Sequence, residues 1–101
     1  DRGNIQAQVQ GALTFGLSAA VFGEITVTDG AVDQANFHTY PLLQMHQAPS
    51  IEVRILEGGR QPRGAGEAAT PTAAPALGNA IFAATGKRIR ELPFGKAFPF
   101  V

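Results

Sequence analysis

The sequence predicts an α+β fold: an antiparallel sheet of three to four strands with two helices packed on one face. Three observations carry that expectation. Apolar residues recur at helical spacing near the N-terminus and again after residue 70. Asp29-Gly30 separates two strand-like runs, and Ile51, Val53 and Ile55 alternate with Glu52 and Arg54. At 101 residues, 45% hydrophobic, residues 1–101 are expected to form one domain with a modest core.

The first helix is expected to start at Asn4, whose side chain suits an N-cap. Ile5, Val9, Ala12, Leu13, Gly16, Leu17, Ala20 and Val21 continue it to about residue 22, and Gly23 is a natural stop. Residues 24–28 alternate, with Ile25 and Val27 on one face, and Asp29-Gly30 is a strong two-residue hairpin turn. The return strand runs through residues 31–40, anchored by Val32, Phe37 and Tyr40, with one short helical turn over 41–46. Residues 51–55 read as a half-buried strand and 57–63 as loop.

The second helix begins between Thr70 and Thr72, capped by either threonine, because Pro71 and Pro75 are tolerable only in or near a first turn. Ala76, Leu77, Ala80, Ile81 and Ala84 form a stripe of small residues suited to lying close on a sheet, and Gly86 ends the helix. Residues 89–92 are expected to make a last short strand before Pro93, with Arg88 and Arg90 on one face and paired to carboxylates. Phe94, Phe98 and Phe100 belong to no predicted element.

Composition narrows the function classes. There is no cysteine, hence no disulfide framework, zinc site or iron–sulfur ligation by thiolate. His38 and His46 lie eight apart with no acid or thiol to join them, so no protein-ligated metal site is expected. Residues 1–56 carry net charge −3 and residues 57–101 net +3. That excess is smaller than a nucleic-acid binder usually shows, and it reads as a solvated basic face or a contact with an acidic neighbour or cofactor phosphate. No apolar run approaches the roughly 18 residues of a membrane helix. Opening on Asp1-Arg2-Gly3 without a start methionine fits a processed product or excised fragment better than a natural N-terminus.

The chemistry-bearing stretch is Gly64-Ala65-Gly66-Glu67. Two glycines let backbone approach a bulky group closely, and they deliver one carboxylate to the mouth of a helix. Such an acid is a candidate general base; it is equally a simple helix-dipole partner. Residues 64–69 also satisfy the dinucleotide pattern G-x-G-x-x-G/A, with Glu91 near the distance of a ribose-binding acid. The mechanics oppose that reading. A dinucleotide loop turns directly from strand to helix, whereas here residues 57–63 intervene and two prolines delay the helix.

Several segments in order resolve the choice. Gly-Ala-Gly-Glu (64–67), the spaced Pro71 and Pro75, Asn79-Ala80-Ile81 and Ala84-Thr85-Gly86-Lys87-Arg88-Ile89-Arg90-Glu91-Leu92-Pro93 occur together, preceded by Ile5-Gln6-Ala7-Gln8-Val9-Gln10-Gly11-Ala12. This set resembles the C-terminal part of the molybdopterin-binding large subunit of the molybdenum hydroxylases, the xanthine dehydrogenase and aldehyde oxidase family. The likeness is strongest to the branch of isoquinoline 1-oxidoreductase, in its beta subunit. The resemblance runs from near Asn4 to Pro93.

The resemblance implies oxidative hydroxylation of an aldehyde or N-heterocycle, with water as the oxygen source. It implies Glu67 as the catalytic base, Gly64 and Gly66 presenting it beside the molybdopterin, and Gln8 hydrogen-bonding near that cofactor. Taken alone, Gln6, Gln8 and Gln10 read as ordinary exposed positions; where the family often has Glu, this chain has Gln10. The implied partners are the rest of the large subunit, a 2Fe-2S electron-transfer subunit or domain, and a small-molecule substrate, with no nucleic acid. The isolated chain is expected to hold no cofactor, to be inactive, and to leave its Phe-rich tail and cofactor-facing surface either exposed or buried by self-association. The rivals are a non-catalytic folding and association module and, further off, a minimal dinucleotide-binding unit.

Overall fold

The computed structural model describes residues 2–56, 58 and 64–97. The predicted loop at 57–63, apart from Gly58, lies outside them, as do Phe98 and Phe100. Two helices dominate: α1 (Arg2–Phe22) and α2 (Thr70–Thr85). Between them come β1 (Val27–Thr28), β2 (Ala31–Val32) and a 3-10 turn at Met45–Gln47, and a second 3-10 turn, Phe94–Lys96, follows α2.

Helix ends depart from expectation where tertiary partners claim the capping groups. α1 starts at Arg2, so Asn4 sits inside its first turn rather than at its cap. Its stop is as read: the Gly23 N–H donates to the Ala19 carbonyl at 2.9 Å. Ala69, not a threonine, is the N-cap of α2. The Thr70 hydroxyl instead donates to the Ala12 carbonyl on α1 at 3.2 Å, and the Thr72 hydroxyl to the Ala69 carbonyl at 2.7 Å. Pro71 occupies the first turn, while Pro75 falls deeper inside the helix. Gly86 closes α2 in the left-handed conformation, φ 74°, its N–H donating to Phe82 O at 2.7 Å.

The two helices pack on one another, not on a sheet. Ala12, Gly16 and Ala20 lie one turn apart on α1 and are buried. A Cβ on Gly16 would stand 2.5 Å from the Thr70 carbonyl oxygen and 2.8 Å from Ala73 Cβ, so the crossing distance depends on glycine. Ala73 is 1% exposed. The buried face of α2 is Ala73, Gly78 and Ile81, whereas Ala76, Ala80 and Ala84 are exposed. α2 is alanine-rich nearly all round, so its periodicity did not single out the face that meets α1.

Phe94 fills the end of this interface. It is buried with Ala20 and Ile81, and Ala74, Leu77 and Ile89 pack around them. Gly78 makes room, since a Cβ there would reach to 3.4 Å of the Phe94 ring, and Gly95 seats against the Val21 carbonyl. Lys96 then pairs with Glu24 at 2.6 Å, tying the C-terminal turn to the end of α1.

Among the described residues the sheet is smaller than predicted: two antiparallel strands of two residues, with Val27 opposite Val32 and Thr28 opposite Ala31. Asp29 and Gly30 both have positive φ, 51° and 79°, as a type I′ hairpin turn requires. Asp33 supports it, accepting from the hydroxyls of Thr26 at 2.6 Å and Thr28 at 3.0 Å. Residues 51–56 form no regular element but keep the alternation, with Ile51, Val53 and Ile55 half-buried, and they pair with no strand among the described residues. Alternation reports which side of an extended chain is covered, not what hydrogen-bonds its edges. This segment is instead tethered to α1 through Gln10, whose amide donates to the Ile51 carbonyl at 3.5 Å. Ser18, buried in α1, accepts from the Leu43 N–H at 2.9 Å.

Residues 89–92 form no strand, and the Leu92–Pro93 peptide is cis. Arg88 does not meet a carboxylate: its guanidinium lies 4.1 Å from the centre of the Phe82 ring and donates to Asn79 Oδ1 at 2.9 Å. An exposed helix terminus offers an aromatic face and an amide, and a delocalised cation stacks on the one and donates to the other.

The chain exposes 7758 Å², where a compact monomer of its mass exposes about 5,500 Å². Its radius of gyration is 16.0 Å against about 13 Å for a compact domain of this length. No helix among the described residues is long and apolar enough to cross a membrane.

Candidate functional site

The helix crossing sets up an open cleft of about 860 Å³. One wall is the face of α1 carrying Gln8, Gly11 and Phe15; the other is the loop entering α2, with Gly66, Glu67 and Ala68. The Thr70 hydroxyl bond to Ala12 fixes the two walls together beneath the cleft. Helical geometry explains the first wall, because positions 8, 11, 12 and 15 share one side. Gln6 and Gln10 lie outside the cleft lining, and Gln10 is turned to Ile51 instead.

Gln8, Gly66 and Glu67 thus come together from segments nearly sixty residues apart. A Cβ on Gly66 would lie 3.6 Å from Gln8 Oε1, an ordinary contact distance, so the loop passes directly beside that amide. Gly64 is different: it faces open space and does not line the cleft. Neither Gly64 nor Gly66 has positive φ. What Gly66 contributes is the absence of a side chain beside Gln8, not an unusual backbone conformation.

Glu67 precedes the N-cap of α2 by two residues, and its carbonyl accepts from the Thr70 N–H at 3.0 Å. Its carboxylate is exposed and makes no hydrogen bond or ion pair among the described residues. It makes no capping hydrogen bond to the helix. The two walls therefore present a neutral amide, with donors and an acceptor, and a free carboxylate. Among the described residues no three His, Cys, Asp or Glu side chains come together as a metal site.

Sequence reasoning missed Thr70 as the clamp and Phe94 as the plug of the interface. The row Ala12, Gly16 and Ala20 carried a signal for the close crossing, but its partner could not be read from it.

No family model matches the chain, and no solved structure does. Curated proteins do. The beta subunit of isoquinoline 1-oxidoreductase from Brevundimonas diminuta is 37% identical over 93 residues, 92% of this chain and 12% of that protein. The membrane-bound pyrroloquinoline-quinone aldehyde dehydrogenase of Gluconacetobacter polyoxogenes is 36% identical over 93 residues, again 92% of this chain and 12% of that protein. The B component of nicotinate dehydrogenase from Pseudomonas putida is 33% identical over 90 residues, 88% of this chain and 8% of that protein. By their names all three are oxidoreductases, and this chain spans about a tenth of their length. Over about nine-tenths of its own length the chain is similar to these oxidoreductases, whose names are of the molybdenum hydroxylase type, as the motif set around Glu67 led one to expect.

Proposed function

We propose that residues 1–101 form one unit of a molybdopterin-binding large subunit, its C-terminal part, and supply one wall of a hydroxylase active site. The reaction is oxidation of an aldehyde or an N-heterocycle with water as the oxygen source, and Glu67 is the general base. The observation that carries this reading is the juxtaposition of Glu67, whose carboxylate has no partner among the described residues, with Gln8 across one cleft. The excess exposed surface supports a chain that completes its folding against the rest of a subunit and a 2Fe-2S partner.

The residues fit an organic cofactor held by hydrogen bonds rather than by protein–metal ligation. Gly11 has nothing within 4 Å of its missing Cβ, and Gly66 keeps the opposite wall low. Gln8 offers two amide donors and a carbonyl acceptor without adding charge. When bound, the molybdenum of the cofactor would supply the two-electron acceptor and the positive charge that acidifies water. Gln8 would orient the cofactor edge, and Gly66 would leave room for it. Glu67 would take the proton from the attacking oxygen on one carboxylate oxygen while the new carbon–oxygen bond forms and the substrate's carbon–hydrogen bond breaks, its hydrogen and electron pair passing to the two-electron acceptor, and would then return the proton to solvent through the open side of the cleft.

Glu67→Gln keeps shape and hydrogen bonding but cannot accept that proton. In the full-length enzyme it should retain the wild-type cofactor content and lose turnover by roughly 100- to 10,000-fold. Molybdenum and quinone content are measured on the same preparation, which also separates this reading from the quinone in the name of the Gluconacetobacter relative. Near-normal turnover with full molybdenum content would reduce Glu67 to a surface acid.

A further inference from the structure

We propose that Phe15 is a specificity residue of the same cleft, an aromatic wall that selects planar substrates. This rests on the reading of the cleft as the active site. Phe15 is 69% exposed, yet it lies on the α1 face that carries Gln8 and Gly11 and lines the cleft opposite Glu67. The neighbours lining that wall, Ala7, Gly11 and Ala12, are too small to hold a substrate by themselves. A phenyl ring is the largest apolar surface the cleft offers, and its flat face binds other flat π-systems in offset or edge-on stacks. Phe15 stands two turns along the helix from Gln8, about 10 Å by helical rise, so its ring lies away from the end of the cleft where Gln8 would meet the cofactor. Such an arrangement suits a planar N-heteroaromatic or an aromatic aldehyde. A saturated chain of equal volume gains only burial from the same ring, with no stacking.

The test uses the full-length enzyme and two unreactive probes of matched size, benzamide and cyclohexanecarboxamide, with binding read by equilibrium dialysis. Phe15→Leu retains bulk and loses the flat face; Phe15→Tyr retains the ring. Phe15→Leu should weaken benzamide by about 3- to 10-fold and cyclohexanecarboxamide by less than about twofold, with Phe15→Tyr close to wild type. The ratio of kcat/KM for isoquinoline over butanal should fall by the same factor, through KM rather than kcat. Equal changes for both probes, no change for either, or failure of both variants to assemble would overturn the proposal and make Phe15 a packing residue. Because dialysis needs no turnover, a negative result for Glu67 as base leaves this comparison intact.

Discussion

The helix pair and the segment joining its members, residues 23–56, are built on opposite terms. In the pair, Ala12, Gly16, Ala20, Ala73 and Ile81 bring two backbones so close that one added methyl at position 16 would collide with the Thr70 carbonyl. In the connecting segment large apolar residues stay in the open: Met45 is 95% exposed, Phe37 74% and Val27 63%. The hairpin there is held by local hydrogen bonds around Thr26 and Asp33, and its tethers to α1 run through single side chains, Ser18 and Gln10. Small residues made the tight interface and large ones were left uncovered. A chain that closed its own core would do the reverse, and this exposure agrees with the proposed packing of the connecting segment against the rest of a larger subunit.

That contrast can be broken by substitution. Gly16→Ala should destabilise the helix pair by about 1–3 kcal/mol, since the neighbour it meets is backbone and cannot rotate away. Urea denaturation followed by helical circular dichroism measures it. A neutral result would mean that the helices cross more loosely than the described contacts.

Gly30→Ala should act more weakly and more locally. Gly30 has φ 79°, which costs an L-residue about 1 kcal/mol, and nothing lies within reach of the new methyl. Amide exchange should quicken across residues 26–33 and remain unchanged in α1 and α2. Accelerated exchange in the helices would show that hairpin and helix pair are one cooperative unit.

The smallest effect concerns the pair that staples the C-terminal turn to α1. The Lys96 ammonium is raised above its ordinary value of 10.5, chiefly by its hydrogen bond to Glu24, with the charges of Glu24 and Glu91 adding and desolvation opposing. A raised amine stabilises the fold fully below its unfolded value and loses that contribution as pH climbs through the folded value. Wild type and Lys96→Met should therefore differ by a constant small margin up to about pH 10 and converge above it. A margin that persists into stronger alkali would assign the effect to the packing of the lysine stem.

The candidate site was legible in unequal parts. Glu67 and Gln8 stood out because their neighbours form ordered motifs, and the face shared by Gln8, Gly11 and Phe15 follows from helical spacing alone. Gly64 and Gly66 looked equivalent in sequence, yet only Gly66 lines the cleft. Which glycine meets Gln8 depends on where the loop crosses α1, and no local pattern specifies a crossing.

The sequence by itself determined the two helices, their glycine stops at 23 and 86 and the Asp-Gly hairpin, because each depends on backbone preferences acting over a few residues. Only the tertiary structure decided that the helices meet each other rather than a sheet. It alone decided that Ala73, Gly78 and Ile81 rather than Ala76, Ala80 and Ala84 are buried, and that Phe94 closes the core. The physical reason is common to all three. Along an alanine-rich helix or an alternating strand, sequence sets how a face repeats, while the partner is set by which surfaces fit at long separation along the chain.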